Sequence, residues 1–218
     1  TSTGFWFYNP NDSQITINYE GANAPSGNFN VAANSTQFIE IDGSGDINLG
    51  GDGYSGLKFS SNLNFYALAQ IDADGQGIIF DWGFPLIPSN QLTSQVLVGD
   101  GRGCTNPGCD GGNPRSVVWV TPVENAIIFV DFDGDGTFDS NTVVNALDSL
   151  RLTDASDKDM SGATISASTT SDGSGQPNGD FVSIAVAWVR ASNCLIHHLA
   201  SCHPLYSHMS IFLYTGPR

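Results

Sequence analysis

The sequence predicts an all-β fold: one β-sandwich or jelly-roll-like domain spanning 1–218, with long Gly/Asp-rich loops. Three observations carry that expectation. Short apolar runs alternate with polar residues at every second position, while helical spacing is nearly absent. Gly and Pro, 25 and 10 of them, punctuate those runs. Of 22 acidic residues 19 are Asp, a residue that favours turns, and only Glu20, Glu40 and Glu124 are Glu, which favours helices.

Taken in order, "FWFYN" from Phe5 opens as an aromatic strand. "QITINYE" places Ile15, Ile17 and Tyr19 on one side of a half-buried strand, and "TQFIEID" follows. "LNFYALAQID" and "GIIFDWGFPLI" are two further strands, the first closed by Asp72 and Asp74, which read as a turn. "QVLVGD", "SVVWVTPV" and "NAIIFVDFD" are three more. After an acidic loop come "NTVVNAL", "LRLTD" and "ATISASTT". "FVSIAVAWV" is nearly continuous in apolar character and is expected to be a central strand buried on both faces. "TTSDGSGQPNGD" reads as a flexible loop, and "HMSIFLYTG" supplies the last strand. Of the tryptophans Trp6, Trp82, Trp119 and Trp188, three sit in apolar strand runs and are expected in the core rather than as a sugar platform.

Seven Lys and Arg against 22 acids give a net charge of -15. A chain this acidic lacks the basic clusters that neutralise phosphates, which excludes nucleic acid and anionic membrane surfaces as partners. No run reaches the ~18 apolar residues of a membrane span. The four cysteines fall in two close pairs and are read as two local disulfides, Cys104–Cys109 and Cys194–Cys202, which places the chain outside the cell or on its surface. Spacing alone does not fix that pairing. His197, His198, His203 and His208 surround the second pair, so zinc is the competing reading of a Cys/His-rich appendix at 194–208. Their spacing matches no zinc template. Asn11 and Asn34 open N-x-S/T sequons that could carry glycans.

The segment "VDFDGDGTFDS" holds the main chemical signal. Asp131, Asp133, Asp135 and Asp139 occupy positions 1, 3, 5 and 9 of a calcium loop, Gly136 takes the sharp turn at position 6, and Thr137 could offer a carbonyl at position 7. Alternate carboxylates on a curled loop can converge on a hard cation that offsets their repulsion. Position 12 is Thr142 rather than a bidentate Glu, and a strand precedes the loop, so this is a DxDGDG loop on a β scaffold and not an EF-hand. Asp154, Asp157 and Asp159 in "TDASDKDMSG" are candidate extra ligands. The competing reading is a solvated Asp/Gly hairpin tip. No catalytic residues emerge, since G-x-S-x-G, P-loop and dinucleotide motifs are all lacking.

"DWGFPLIP", "VVWVTPV", "VDFDGDG", "LDSLRLTD" with "DKDMSG", and "IAVAW" occur in that order between about Ala67 and Trp188. In that order they resemble a β domain of large bacterial extracellular, adhesin-like surface proteins. The resemblance implies an extracellular, non-enzymatic module in which the acidic loop and the "DKD" turn are shared features. After Trp188 the sequence departs from that pattern, which continues there with a Gly-Gln-Asp-Pro-like turn.

The functional expectation is a structural protein, a surface fibril subunit or adhesin module stabilised by calcium and disulfides. Its partners would be copies of itself in a head-to-tail homopolymer, or a cell-surface or glycan ligand. The terminal strands at 1–9 and 209–216 are the expected assembly elements, through Phe5, Trp6, Phe7 and Tyr8 at one end and Ile211, Phe212, Leu213 and Tyr214 at the other. A calcium-dependent carbohydrate-binding module is the alternative, and a secreted hydrolase the second.

Overall fold

The computed structural model describes residues 2–22, 24–41, 46–47, 56–72, 82–99, 116–156, 160–190 and 212–215. They form an all-β, sandwich-like fold with sixteen strands. The one helical element among them is a 3-10 turn at Ser89–Gln91. No helix among these residues is long and apolar enough to cross a membrane.

The sequence reading takes 1–218 as one domain. The chain groups into two compact units, Thr1–Leu92 with Ser207–Arg218, and Thr93–Tyr206.

The first unit begins with β1 (Ser2–Asn9), β2 (Ile15–Gly21), β3 (Gly27–Val31) and β4 (Ser35–Ile41). It continues with β5 (Leu57–Ser60), β6 (Tyr66–Asp72), β7 (Trp82–Pro85) and β8 (Ile87–Pro88). One sheet has the order β4-β1-β6-β7. The other runs β3-β2-β5, then β16 (Phe212–Thr215), then β8. Both sheets contribute to one core. Phe5 and Phe7 of β1 meet Phe59 of β5 at ring-centroid distances of 5.3 and 4.9 Å, and Phe7 also reaches Phe29 and Phe65. β1 supplies these rings because its side chains alternate, with Phe5 and Phe7 inward and Trp6 and Tyr8 outward.

The polar end of β1 is as constrained as its apolar part. Asn9 is fully buried. Its amide donates to the carbonyls of Ser13, Val31 and Ala32, while its Oδ1 accepts the backbone and side-chain N–H groups of Asn11. Asn11 in turn donates to the Asn64 carbonyl. One side chain thus ties the β1–β2 turn to the end of β3.

Residues Phe5 to Tyr8, expected at an assembly interface, lie in a strand hydrogen-bonded on both edges, by β4 and by β6. At the other end, β16 lies parallel between β5 and β8, while Ile211 is outside the described residues. All four cysteines and all four histidines also lie outside them. Asn11 is half-buried with its amide engaged, whereas Asn34 is exposed.

The second unit contains β9 (Gln95–Leu97), β10 (Ser116–Pro122), β11 (Ala126–Asp131) and β12 (Ser140–Val144). It is completed by β13 (Leu150–Leu152), β14 (Thr164–Ser168) and β15 (Ile184–Arg190). Its sheets are β13-β10-β15 and β12-β11-β14-β9. Val118 and Val120 from the first join Ile128, Val130, Ile165 and Ala167 from the second in a separate core.

β15 and the tryptophans depart from the sequence expectation. Among the described residues β15 is an outer strand of a three-stranded sheet, bridged on its other side to Thr93 at Ile184, and the central strand is β10. Its burial fades along its length, from Ile184 and Ala185 in the core to Trp188 at 45% exposure, so its apolar run reflects small residues along a partly open edge. The tryptophans divide: Trp119 is buried, but Trp6 and Trp188 are nearly half exposed. The pleat turns them away from the neighbours that face inward.

Replacing Asn9 with Ala removes a buried amide and strands several backbone partners. The expected loss is about 2–3 kcal/mol, read by urea denaturation of the variant against the parent chain.

Candidate metal centre

β11 and β12 form a hairpin whose tip is the acidic loop, and the last paired residues are Val130 and Ser140. The tip closes where the Asp139 N–H donates to the Val130 carbonyl at 2.8 Å. Two phenylalanines pin it from opposite sides. Phe132 packs against the core of the second unit, and Phe138 meets Phe129 of β11 at 5.7 Å. The alternation that sends Val130 and Phe132 one way sends Phe129 and Asp131 the other.

Asp131 is therefore a carboxylate at the end of a core strand, 3% exposed. The loop folds around it. Gly134 N–H donates to its Oδ1 at 2.7 Å and Gly136 N–H to its Oδ2 at 2.9 Å. Reaching both oxygens requires a left-handed backbone at Gly134 and Gly136, with φ of 73° and 91°, and glycine takes that conformation without side-chain strain.

The next carboxylates organise the loop in the same way. Asp133 Oδ1 accepts the Asp135 N–H and Asp139 Oδ2 accepts the Phe132 N–H. One ligand oxygen from each of Asp131, Asp133 and Asp139 lies within 4.8 Å of the others. Two oxygens bound to one calcium ion at 2.3–2.6 Å can be at most about 5 Å apart, so this group is compact enough for one cation. Backbone N–H donors leave lone pairs on the same oxygens for a metal. Three carboxylates supply half of the minimum of about six oxygens, and further ligands would be carbonyls or water.

Asp135, expected at position 5, stands apart from this group; its Oδ1 accepts the Thr137 N–H at 2.7 Å. Thr137 is exposed. Asp154 also stands outside the group and accepts the N–H and hydroxyl of Ser156, while Asp157 and Asp159 lie outside the described residues. The turn at 160–162 nevertheless comes close, since a Cβ added to Gly134 would sit 3.1 Å from the Gly162 carbonyl oxygen.

A second brace is absent from the sequence reading. The loop at 172–176 is a tight turn built on Asp172, whose Oδ1 accepts the N–H groups of Ser174 and Gln176 and the Ser174 hydroxyl. The turn places the Gln176 amide beside the backbone of Phe138, with long contacts of 3.4 and 3.5 Å. Asn141 of β12 reaches the Gly175 carbonyl similarly. The Gln176 N–H first, and then the Ser174 hydroxyl, hold the Asp172 carboxyl below its ordinary value of 3.8.

No protein-family model, curated protein or solved structure matches the chain.

Two outcomes are expected. Titrating calcium should raise the melting temperature of the parent chain by several degrees at saturation. Asp133→Asn or Asp139→Asn should abolish that rise, while Asp135→Asn should keep most of it. Calorimetric melts of the four proteins, with and without chelator, check this. A depressed carboxyl stabilises its turn at pH above the unfolded value near 3.8, and that contribution fades as pH falls through the lower folded value. Protection of the Ser174 and Gln176 amides, measured against an unstructured peptide at the same pH, should therefore fall as pH drops through the lower folded value, and in Asp172→Asn it should be low at every pH.

Proposed function

We infer that this chain is a non-enzymatic structural module of an extracellular protein, a bacterial surface fibril subunit or adhesin module, braced by calcium at the β11–β12 loop. The convergence of Asp131, Asp133 and Asp139 within 4.8 Å carries this reading. Like charges at that spacing repel, and Asp131 is desolvated as well. A divalent cation relieves both costs at once, and calcium suits an all-oxygen site with a flexible ligand count. Millimolar calcium outside cells makes even a weak site of this kind useful.

The same loop is a poor reaction centre. Its carboxylates are engaged with their own backbone, and the cluster stands at a hairpin tip. The order of the "DWGF", "VDFDGDG" and "DMSG" motifs supports a surface-protein setting, as does the acidic, turn-rich composition. Cysteines spaced closely at 104/109 and 194/202 suit the same oxidising location if they form disulfides.

Self-association of such a module would use sheet edges. Donation of residues 1–9 to a neighbour would require β1 to leave both of its partners. Deleting those residues would also remove Phe5 and Phe7 from the core, so the deletion cannot separate assembly from folding. Addition at an existing edge needs no such exchange. Among the described residues β12 is such an edge, exposed over most of its length with Val143 at 75% exposure.

Electron microscopy of native material, with and without chelator, tests the reading. Filaments or a surface array that lose order on calcium removal are expected. Monodisperse particles in both conditions, with a melting temperature indifferent to calcium, would refute it.

A further inference from the structure

The outer face of the β4-β1-β6 sheet presents an ordered aromatic surface, and the register shows why. Trp6 stands opposite Phe38 on one side and Leu68 on the other. One step along, Tyr8 stands opposite Tyr66. Directly opposed residues in antiparallel strands share a face, with neighbouring strands about 4.8 Å apart and successive rows about 7 Å apart. All five side chains are well exposed, from 39% at Phe38 to 68% at Tyr66.

These rings are fixed rather than loose. The Trp6 indole packs on Phe38 at 4.8 Å and donates its N–H to Gln70 Oε1 at 3.2 Å. Tyr8 and Tyr66 lie nearly parallel, at 20° and 6.4 Å. Phe38 covers Gly4, where a Cβ would collide with its ring. A preformed surface of this kind loses little entropy on binding.

Its size and chemistry narrow the occupant. At about 200 Å² per large side chain, the exposed part is on the order of 450 Å², below the ~800 Å² that each partner contributes to a stable protein interface. Isolated patches of this size on monomers are often functional. Tyrosine hydroxyls and the Gln70 Nε2 amide interleave with the rings, so a purely apolar occupant would leave these polar groups without partners. Opposed positions in these rows carry no Lys or Arg, and a chain of net charge -15 repels polyanions.

We propose that this face binds a neutral oligosaccharide chain, with pyranose C–H faces on the rings of Trp6, Tyr8 and Tyr66 and hydroxyls at Gln70. A sugar alternates apolar ring faces with a hydroxyl rim and so matches this alternation of chemistry. The site lies in the unit that lacks the acidic loop and is independent of any cation there.

Binding of cellohexaose, xylohexaose, mannohexaose and chitohexaose to the full chain would be followed by tryptophan fluorescence and calorimetry. At least one should bind saturably and equally well in chelator. Tyr66→Ala and Trp6→Ala should each weaken it about tenfold or more while leaving the melting temperature near that of the parent. No binding across the panel would overturn the proposal, as would binding that ignores both substitutions or vanishes in chelator. Sedimentation distinguishes the rival occupant: dimerisation abolished by Tyr66→Ala would assign the face to a second copy. Because chelator leaves this binding intact, its failure is separable from failure of the calcium reading.

Discussion

A negative charge almost removed from water, at the end of a core strand, sets the terms for the second unit. Asp131 belongs to β11 by its backbone and to the loop by its side chain. Burying a carboxylate is unfavourable by several kcal/mol unless donors surround it. The chain meets that demand locally, by curling Gly134 and Gly136 back onto its two oxygens. Once the loop is curled, Asp133 and Asp139 follow Asp131 into one small volume, and their mutual repulsion becomes the feature a cation would relieve. Phe132 and Phe138 keep the curl from opening, and the turn at Asp172 supports it from beside.

In the first unit the governing constraint is the two-residue pleat. The strand that builds the core with Phe5 and Phe7 cannot avoid presenting Trp6 and Tyr8 to solvent. Two opposite chemistries therefore occupy one eight-residue strand, and cross-strand register decides what each exposed ring meets. Phe38 over Gly4 is a consequence: a missing side chain on one strand makes room for a large one on the next.

Much of this was legible in the sequence, and what was not has physical reasons. Strands such as "QITINYE" and "NAIIFVDFD" announce themselves by period and by β-branched residues. β3 and β5 did not, since "GNFNV" and "LKFS" are short and each carries a single Phe whose burial depends on partners elsewhere. Trp6 was misjudged because an apolar run hides which residues face out, and the same ambiguity promoted β15 from edge to centre. Spacing alone pointed to Asp131, Asp133 and Asp139. It also pointed to Asp135, which the structure engages with Thr137 instead. Neither Asn9 nor Gln176 was visible, because each side chain also binds backbone groups more than twenty residues away.

In the sheet that holds β5 and β8, β16 lies between them, and along the sequence the second unit falls between β8 and β16. During synthesis, residues 93–206 leave the ribosome as one continuous stretch, so this unit has its described strands in hand first. The first unit must wait with an open slot between two short strands until the final segment emerges. A nascent chain in that interval would display unpaired edges to its neighbours, and its yield would depend on how quickly translation delivers the missing strand.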